Sequence, residues 1–143
     1  MLNEKIPSVM AGYRLDKARE FLQDAEKCLA MGSFLTSANR SYYSIFHAMR
    51  AVLAFERFDS KKHSGVISTF RKNYIKTGIF PSTFSDFIGD AFTVRNDSDY
   101  QDSYIVSKEQ IAVQLDNAKT FVAAVEEYVA RKLQNTLPAT PPT

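Results

Sequence analysis

The sequence predicts an all-α fold: an up-and-down four-helix bundle with one additional short helix. Three observations lead there. The 143 residues include only five Gly and five Pro, and Pro138, Pro141 and Pro142 fall near the end, so the body of the chain is nearly free of helix breakers. Apolar residues recur at alternating spacings of three and four along several long stretches, the period of a helix with one buried face. A composition of 45% hydrophobic and 24% charged residues is that of an ordinary globular chain, and the length suits one domain.

The first helix is expected over Ala11 to Met31, with Leu15, Ala18, Leu22, Ala25 and Leu29 forming the seam and Gly32 ending it. The second runs from about Phe34 to Phe55. It is apolar on almost every side, which places it in the middle of a bundle. Its few polar residues Arg40, Ser44 and His47 share one narrow stripe, where a hydrogen-bonded core histidine is the expectation for His47. Asp59 to His63 read as a polar loop, with His63 helping to fix the helix that follows. That third, short helix covers about Ser64 to Lys76, with Val66, Ile67, Phe70 and Tyr74 inward and Lys72 and Lys76 outward. Thr77 and Gly78 stop it, and Pro81 and Ser82 open the fourth helix, expected to end near Arg95. Ser107 and Gln110 make a capping box for the fifth, which carries Ile111, Leu115, Ala118, Val122, Val125 and Val129 inward as far as about Leu133. Residues 1–133 therefore read as a single helical domain. From Gln134 on, the Pro- and Thr-rich tail reads as disordered.

Several functions are excluded early. Two His and one Cys, scattered along the chain, give no metal-ligand spacing, and the Glu-x-x-His pairs of a di-iron bundle are missing. There is no Gly-rich phosphate loop and no nucleophile elbow, so no metal or cofactor is expected. The longest uncharged stretch, Cys28 to Asn39, is too short to span a bilayer, and no secretory signal is visible. With a single cysteine, a cytoplasmic protein is the default.

Net charge is only +2 but it is uneven. From Arg50 to Lys76, seven basic residues face two acidic ones; from Phe84 to Glu127, nine acidic residues face three basic ones. A basic middle suits a polyanion, and two solvated faces that attract each other are the plainer alternative. On the fourth helix Phe84, Ile88, Ala91 and Arg95 share a face, which sets a guanidinium at the end of an apolar stripe. Such a group is costly unless it is paired or lines a cleft. It either forms a salt bridge, for example with Asp99, or offers its bidentate fork to a phosphodiester.

Three segments resemble the HEPN domain, a helical module of bacteria and archaea. They are Arg40-Ser41-Tyr42-Tyr43-Ser44-Ile45-Phe46-His47-Ala48, His63-Ser64-Gly65-Val66-Ile67 continuing to Lys76-Thr77-Gly78, and Arg95-Asn96 through Asp99-Tyr100. The resemblance covers roughly Ala11 to Val129. It implies a bundle of four to five helices that pairs as a homodimer. It also implies metal-independent ribonuclease chemistry at an Arg, a polar residue and a His four to six positions after the Arg. A minimal nucleotidyltransferase partner in a toxin-antitoxin pair is implied too, in some cases adding adenylate to a tyrosine.

Carried over by position, Arg95 matches the motif arginine and Asn96 its polar neighbour, while Tyr100 stands where the family has histidine. An unperturbed phenol, with a pKa of about 10, is poorly suited to act as a base. Asp99 can then serve as base and Tyr100 as acid or hydrogen-bond donor; His63 and His47 are further candidates, but nothing in the spacing brings either to the cleft. The candidate catalytic set is thus Arg95, Asn96, Asp99 and Tyr100. Lys61, Lys62, His63, Arg71, Lys72 and Lys76 are the expected RNA contacts, and Tyr100 and Tyr104 the candidate adenylation sites. The favoured reading is an RNA- or nucleotide-binding HEPN protein of a nucleotidyltransferase-linked system. An active ribonuclease using Arg95 and Asn96 is the first alternative and a purely structural dimeric module the second.

Overall fold

The computed structural model describes the backbone of residues 2–100 and 106–136, and the side chains of 5–97 and 106–135. Its elements are α1 (Leu2–Ala30), α2 (Phe34–Leu53) with a 3₁₀ turn at Ala54–Glu56, α3 (His63–Phe70) continued by a π-helical turn at Arg71–Ile75, α4 (Thr83–Tyr100) and α5 (Lys108–Thr136). The described residues are all-α. Helix α2 sits in the middle, in contact with α1, α3, α4 and α5, and α5 also packs on α1 and α4.

The α1–α2 pairing follows from small residues. Ala11, Ala18 and Ala25, seven apart, are fully buried, as are Ser37, Ala38, Ser41, Ser44, Ala48 and Ala51 on α2. Without bulky side chains at these positions the two helices approach closely. Ser37 Oγ then donates to the Ala25 carbonyl at 2.7 Å, and Gln114 Nε2 on α5 to the Ala38 carbonyl at 3.2 Å, so these polar groups are satisfied inside the bundle. The larger core lies around α2's other side chains. Tyr42, Met49, Phe70, Ile88, Phe121 and Val125 are each 1% exposed or less.

The element ends obey local chemistry. Gly32 has φ +80, and its amide bonds to the Leu29 carbonyl while the Ser33 amide reaches that of Cys28. This is a Schellman close, which needs the left-handed conformation. The capping box forms as expected: Ser107 N donates to Gln110 Oε1 at 2.9 Å and Gln110 N to Ser107 Oγ at 3.1 Å.

Five features differ from expectation. Helix α1 starts at Leu2, because Pro7 stands close to the helix start, where it removes only the bond to the Asn3 carbonyl and its fixed φ already suits a helix. His63 is the first residue of α3 rather than part of the loop. The third helix is not α-helical throughout: the Lys76 amide bonds to the Arg71 carbonyl at 2.9 Å, five residues back. Helix α4 runs past Arg95 to Tyr100, because polar residues without Gly or Pro do not stop a helix. Helix α5 reaches Thr136, and the rest of the expected tail lies outside the described residues. Among the described residues, no helix is long and apolar enough to cross a membrane.

Candidate functional site

Arg95 points at α2. Its guanidinium carbon lies 5.1 Å from the ring centre of Tyr42 and 5.4 Å from that of Tyr43, and Nη2 donates to the Tyr43 hydroxyl at 3.2 Å. Placed over two aromatic faces, the cation gains an attraction of about 0.5–2 kcal/mol per ring that offsets its partial burial. Tyr42 is fully buried and Tyr43 half-buried, but their hydroxyls also do polar work.

Tyr42 carries the contact that chain spacing did not reveal. Its hydroxyl lies 2.7 Å from His63 Nδ1, and the His63 ring stacks on Phe46 with centres 4.1 Å apart. Burial pushes the Tyr42 phenol up to about 12, against the opposing pull of Arg95. It therefore stays protonated at neutral pH. Burial, then Arg95 and Arg50, hold the His63 imidazole below its ordinary 6.5, so it is neutral at pH 7. A phenol, a neutral imidazole and a stacked guanidinium thus come together from α2, α3 and α4. The only signal available in sequence was the choice of Tyr over Phe at an apolar helix position, since a buried hydroxyl calls for a partner.

The other histidine behaves differently. His47 stacks on Phe21 with centres 5.3 Å apart, and Arg40 lies over the same ring at 5.8 Å, so the polar stripe of α2 stays together on Phe21. The expected hydrogen-bonded core histidine is corrected in one respect: His47 Nδ1 is buried with no hydrogen-bond partner among the described residues. Its pKa falls to about 4, first through burial and then through Arg14, Arg50 and Lys17.

The basic residues fall into two groups. Lys61 and Lys62 are exposed just before α3. Arg71, Lys72 and Lys76 line a groove of about 450 Å³ between the α3 extension and α4, whose other wall holds Ile88, Gly89 and Phe92. The π turn matters here, because residues five apart come to the same side only when the helix is widened to i→i+5. Arg71 Nη2 donates to the Ser85 carbonyl at 3.0 Å and so lies against α4. It passes close over Gly89, where a Cβ would sit 3.4 Å from that nitrogen, an ordinary van der Waals contact. Phe92 joins the groove to the Arg95 cluster: it lines the groove, its ring centre is 6.1 Å from that of Tyr42, and Arg95 is the next residue but two on the same helix.

Asn96, next to Arg95, is exposed. Asp99 and Tyr100 close α4, but their side chains lie outside the described residues, and Tyr104 lies outside them altogether. The structure therefore brings Arg95 together with His63 and places Arg71, Lys72 and Lys76 along one groove.

Comparison with known proteins bears on the same stretch. The family model of the HEPN domain matches residues 11–128. Similar proteins include "Putative toxin MJ0142" of Methanocaldococcus jannaschii, 28% identical over 82% of this chain and 80% of the relative. A UPF0332 protein of Thermotoga maritima is 29% identical over 90% of this chain and 96% of its own, and one of Archaeoglobus fulgidus 33% identical over 81% and 92%.

Proposed function

Because the chain belongs to the HEPN domain family, we propose that it is a cytoplasmic, toxin-type HEPN protein that binds RNA or nucleotide at Arg95. The observation that carries this reading is the continuity of the Arg71–Lys72–Lys76 groove, through Phe92, with the stacked Arg95 guanidinium. A line of three cations ending in a fixed arginine suits a phosphodiester backbone: the lysines act as point charges and Arg95 offers a fork to one phosphate. Two similar proteins of Methanocaldococcus jannaschii bear the name toxin, which supports a system in which a partner restrains the activity. A minimal nucleotidyltransferase is the partner proposed, with Tyr100 or Tyr104 as acceptor of adenylate.

A second reading, metal-independent RNA cleavage, is favoured by His63. In that reaction the 2′-hydroxyl gives up its proton to a base, its oxygen bonds to phosphorus, and the bond to the 5′-oxygen breaks as an acid protonates it. The products are a 2′,3′-cyclic phosphate and a 5′-hydroxyl end. Tyr42, held at about 12, is a poor base at neutral pH, whereas the neutral His63 imidazole suits either transfer. One imidazole per chain covers one of the two transfers, so the proposed homodimer would supply the second from its partner.

The test incubates purified protein with total RNA in a metal chelator, using wild type, Arg95→Ala and His63→Gln. Binding to RNA should weaken at least tenfold in Arg95→Ala. Any cleavage should vanish in both variants. Wild-type RNA binding by Arg95→Ala would overturn the reading, and cleavage that persists in both variants would assign that activity to a contaminant.

A further inference from the structure

A second cavity, away from Arg95, lies between the first turns of α1 and the segment after α2. Ile6, Pro7 and Met10 of α1, with Ala54 and Phe58, form an apolar wall around about 230 Å³. At the share of liquid volume taken by a water, that is room for roughly seven waters, or for a ring or short acyl chain. Ile6 and Met10 stand at its lip 45% and 38% exposed, which is unfavourable for large apolar side chains unless something covers them.

The rest of the lining is charged. Arg14, Arg50 and Arg57 border the cavity with the carboxylate of Asp59. Its Oδ1 accepts from Arg50 Nη2 at 2.6 Å and from the Ser60 amide at 2.9 Å. Arg14, by contrast, makes no ion pair among the described residues; its contact is with the Tyr13 ring, 5.4 Å away. Two groups register the resulting field. Arg14 itself is held below its usual value by burial and then by Arg50, against the opposing pull of Asp59, and His47 is lowered by burial and then by Arg14, Arg50 and Lys17. A half-buried guanidinium without an ion pair of its own, at the mouth of an apolar cavity and beside a second one that shares the nearest carboxylate, is an arrangement that a bound anion would relieve.

We propose that this cavity is a binding site for a small amphiphilic anion, its carboxylate or phosphate monoester held by Arg14 and its apolar body lying against Ile6, Met10 and Phe58. Two sources share this chemistry: an aromatic or nucleoside phosphate monoester, and a short acyl carboxylate. The site is separate from the Arg95 groove and does not depend on the reading of that groove.

The experiment titrates the full chain, its methionine methyls and histidines followed by NMR, with phenyl phosphate, octanoate and inorganic phosphate. At least one organic probe should bind ten or more times tighter than inorganic phosphate. It should move the Met10 methyl and His47 signals, and Arg14→Gln should weaken it tenfold or more. Met10→Asn gives a second, independent loss. Response to phenyl phosphate alone would assign the phosphate source, and response to octanoate alone the acyl source. The proposal fails if inorganic phosphate binds as tightly as either probe, if neither variant changes the affinity, or if dilution shows that a second copy of the chain already covers Met10.

Discussion

Tyr42 and His63 are separated by 21 positions, yet their side chains meet at 2.7 Å. Periodicity reports which residues share a helix face, so it found Arg95 on the Phe84–Ile88–Ala91 stripe. It says nothing of which helix faces which, so it could not bring His63 to Tyr42 and Arg95. Removing the phenol hydroxyl tests that contact. Tyr42→Phe should lower stability by about 1 kcal/mol, the typical net worth of such a hydrogen bond, measured by urea unfolding. An unchanged midpoint would mean that the bond contributes nothing. His47 supplies a pH test. Its imidazole titrates near 4 in the folded chain and near its ordinary 6.5 when unfolded, so between those values the unfolded state binds more protons. Stability should therefore fall as pH drops from 6.5 towards 4. The carboxylates add their own dependence in that range, so the comparison is with His47→Gln, in which this part of the slope should disappear.

At the scale of elements, capping chemistry and seams were the most legible features. The Ser107–Gln110 box and the Gly32 close were both readable because each depends on a few adjacent residues. Ser107→Ala should cost about 1 kcal/mol, read from thermal or urea unfolding, with no change in the residues that line the groove. The π turn at Arg71–Ile75 was not legible, because nothing local in Arg-Lys-Asn-Tyr-Ile separates a five-residue turn from a four-residue one. Tertiary constraints hold it instead: Tyr74 is buried and donates to Glu56 Oε1 at 2.7 Å, and Arg71 is tied to the Ser85 carbonyl. Likewise the start of α1 at Leu2 was hidden by Pro7, a residue that stops a helix in its interior and is tolerated near its start.

For the whole molecule, the excess of positive charge between Arg50 and Lys76 resolves into three places: the exposed pair Lys61 and Lys62 before α3, the groove of Arg71, Lys72 and Lys76, and Arg50 and Arg57 at the cavity that Arg14 also borders. The sequence showed the excess without the division, since neighbours along the chain are carried to different sides by α3 and its extension. If the groove holds an RNA backbone, binding should weaken with salt. Replacing Lys72 and Lys76 together by Gln should lower the slope of log affinity against log salt by roughly 1.4, at about 0.7 per lost phosphate contact on a single strand. The proposed homodimer should appear as twice the 16.2 kDa chain mass in light scattering at micromolar concentration, and a monomer mass would count against it.

All of this turns on whether the guanidinium stacked upon Tyr42 and Tyr43 receives a phosphate. The most direct measurement is the affinity of a short single-stranded RNA for the wild type and for Arg95→Ala at one fixed salt concentration, with urea unfolding of both proteins as a check on folding. The proposed role predicts at least a tenfold loss, about 1.4 kcal/mol, in a variant that unfolds cooperatively. Equal affinity in a folded Arg95→Ala would contradict it.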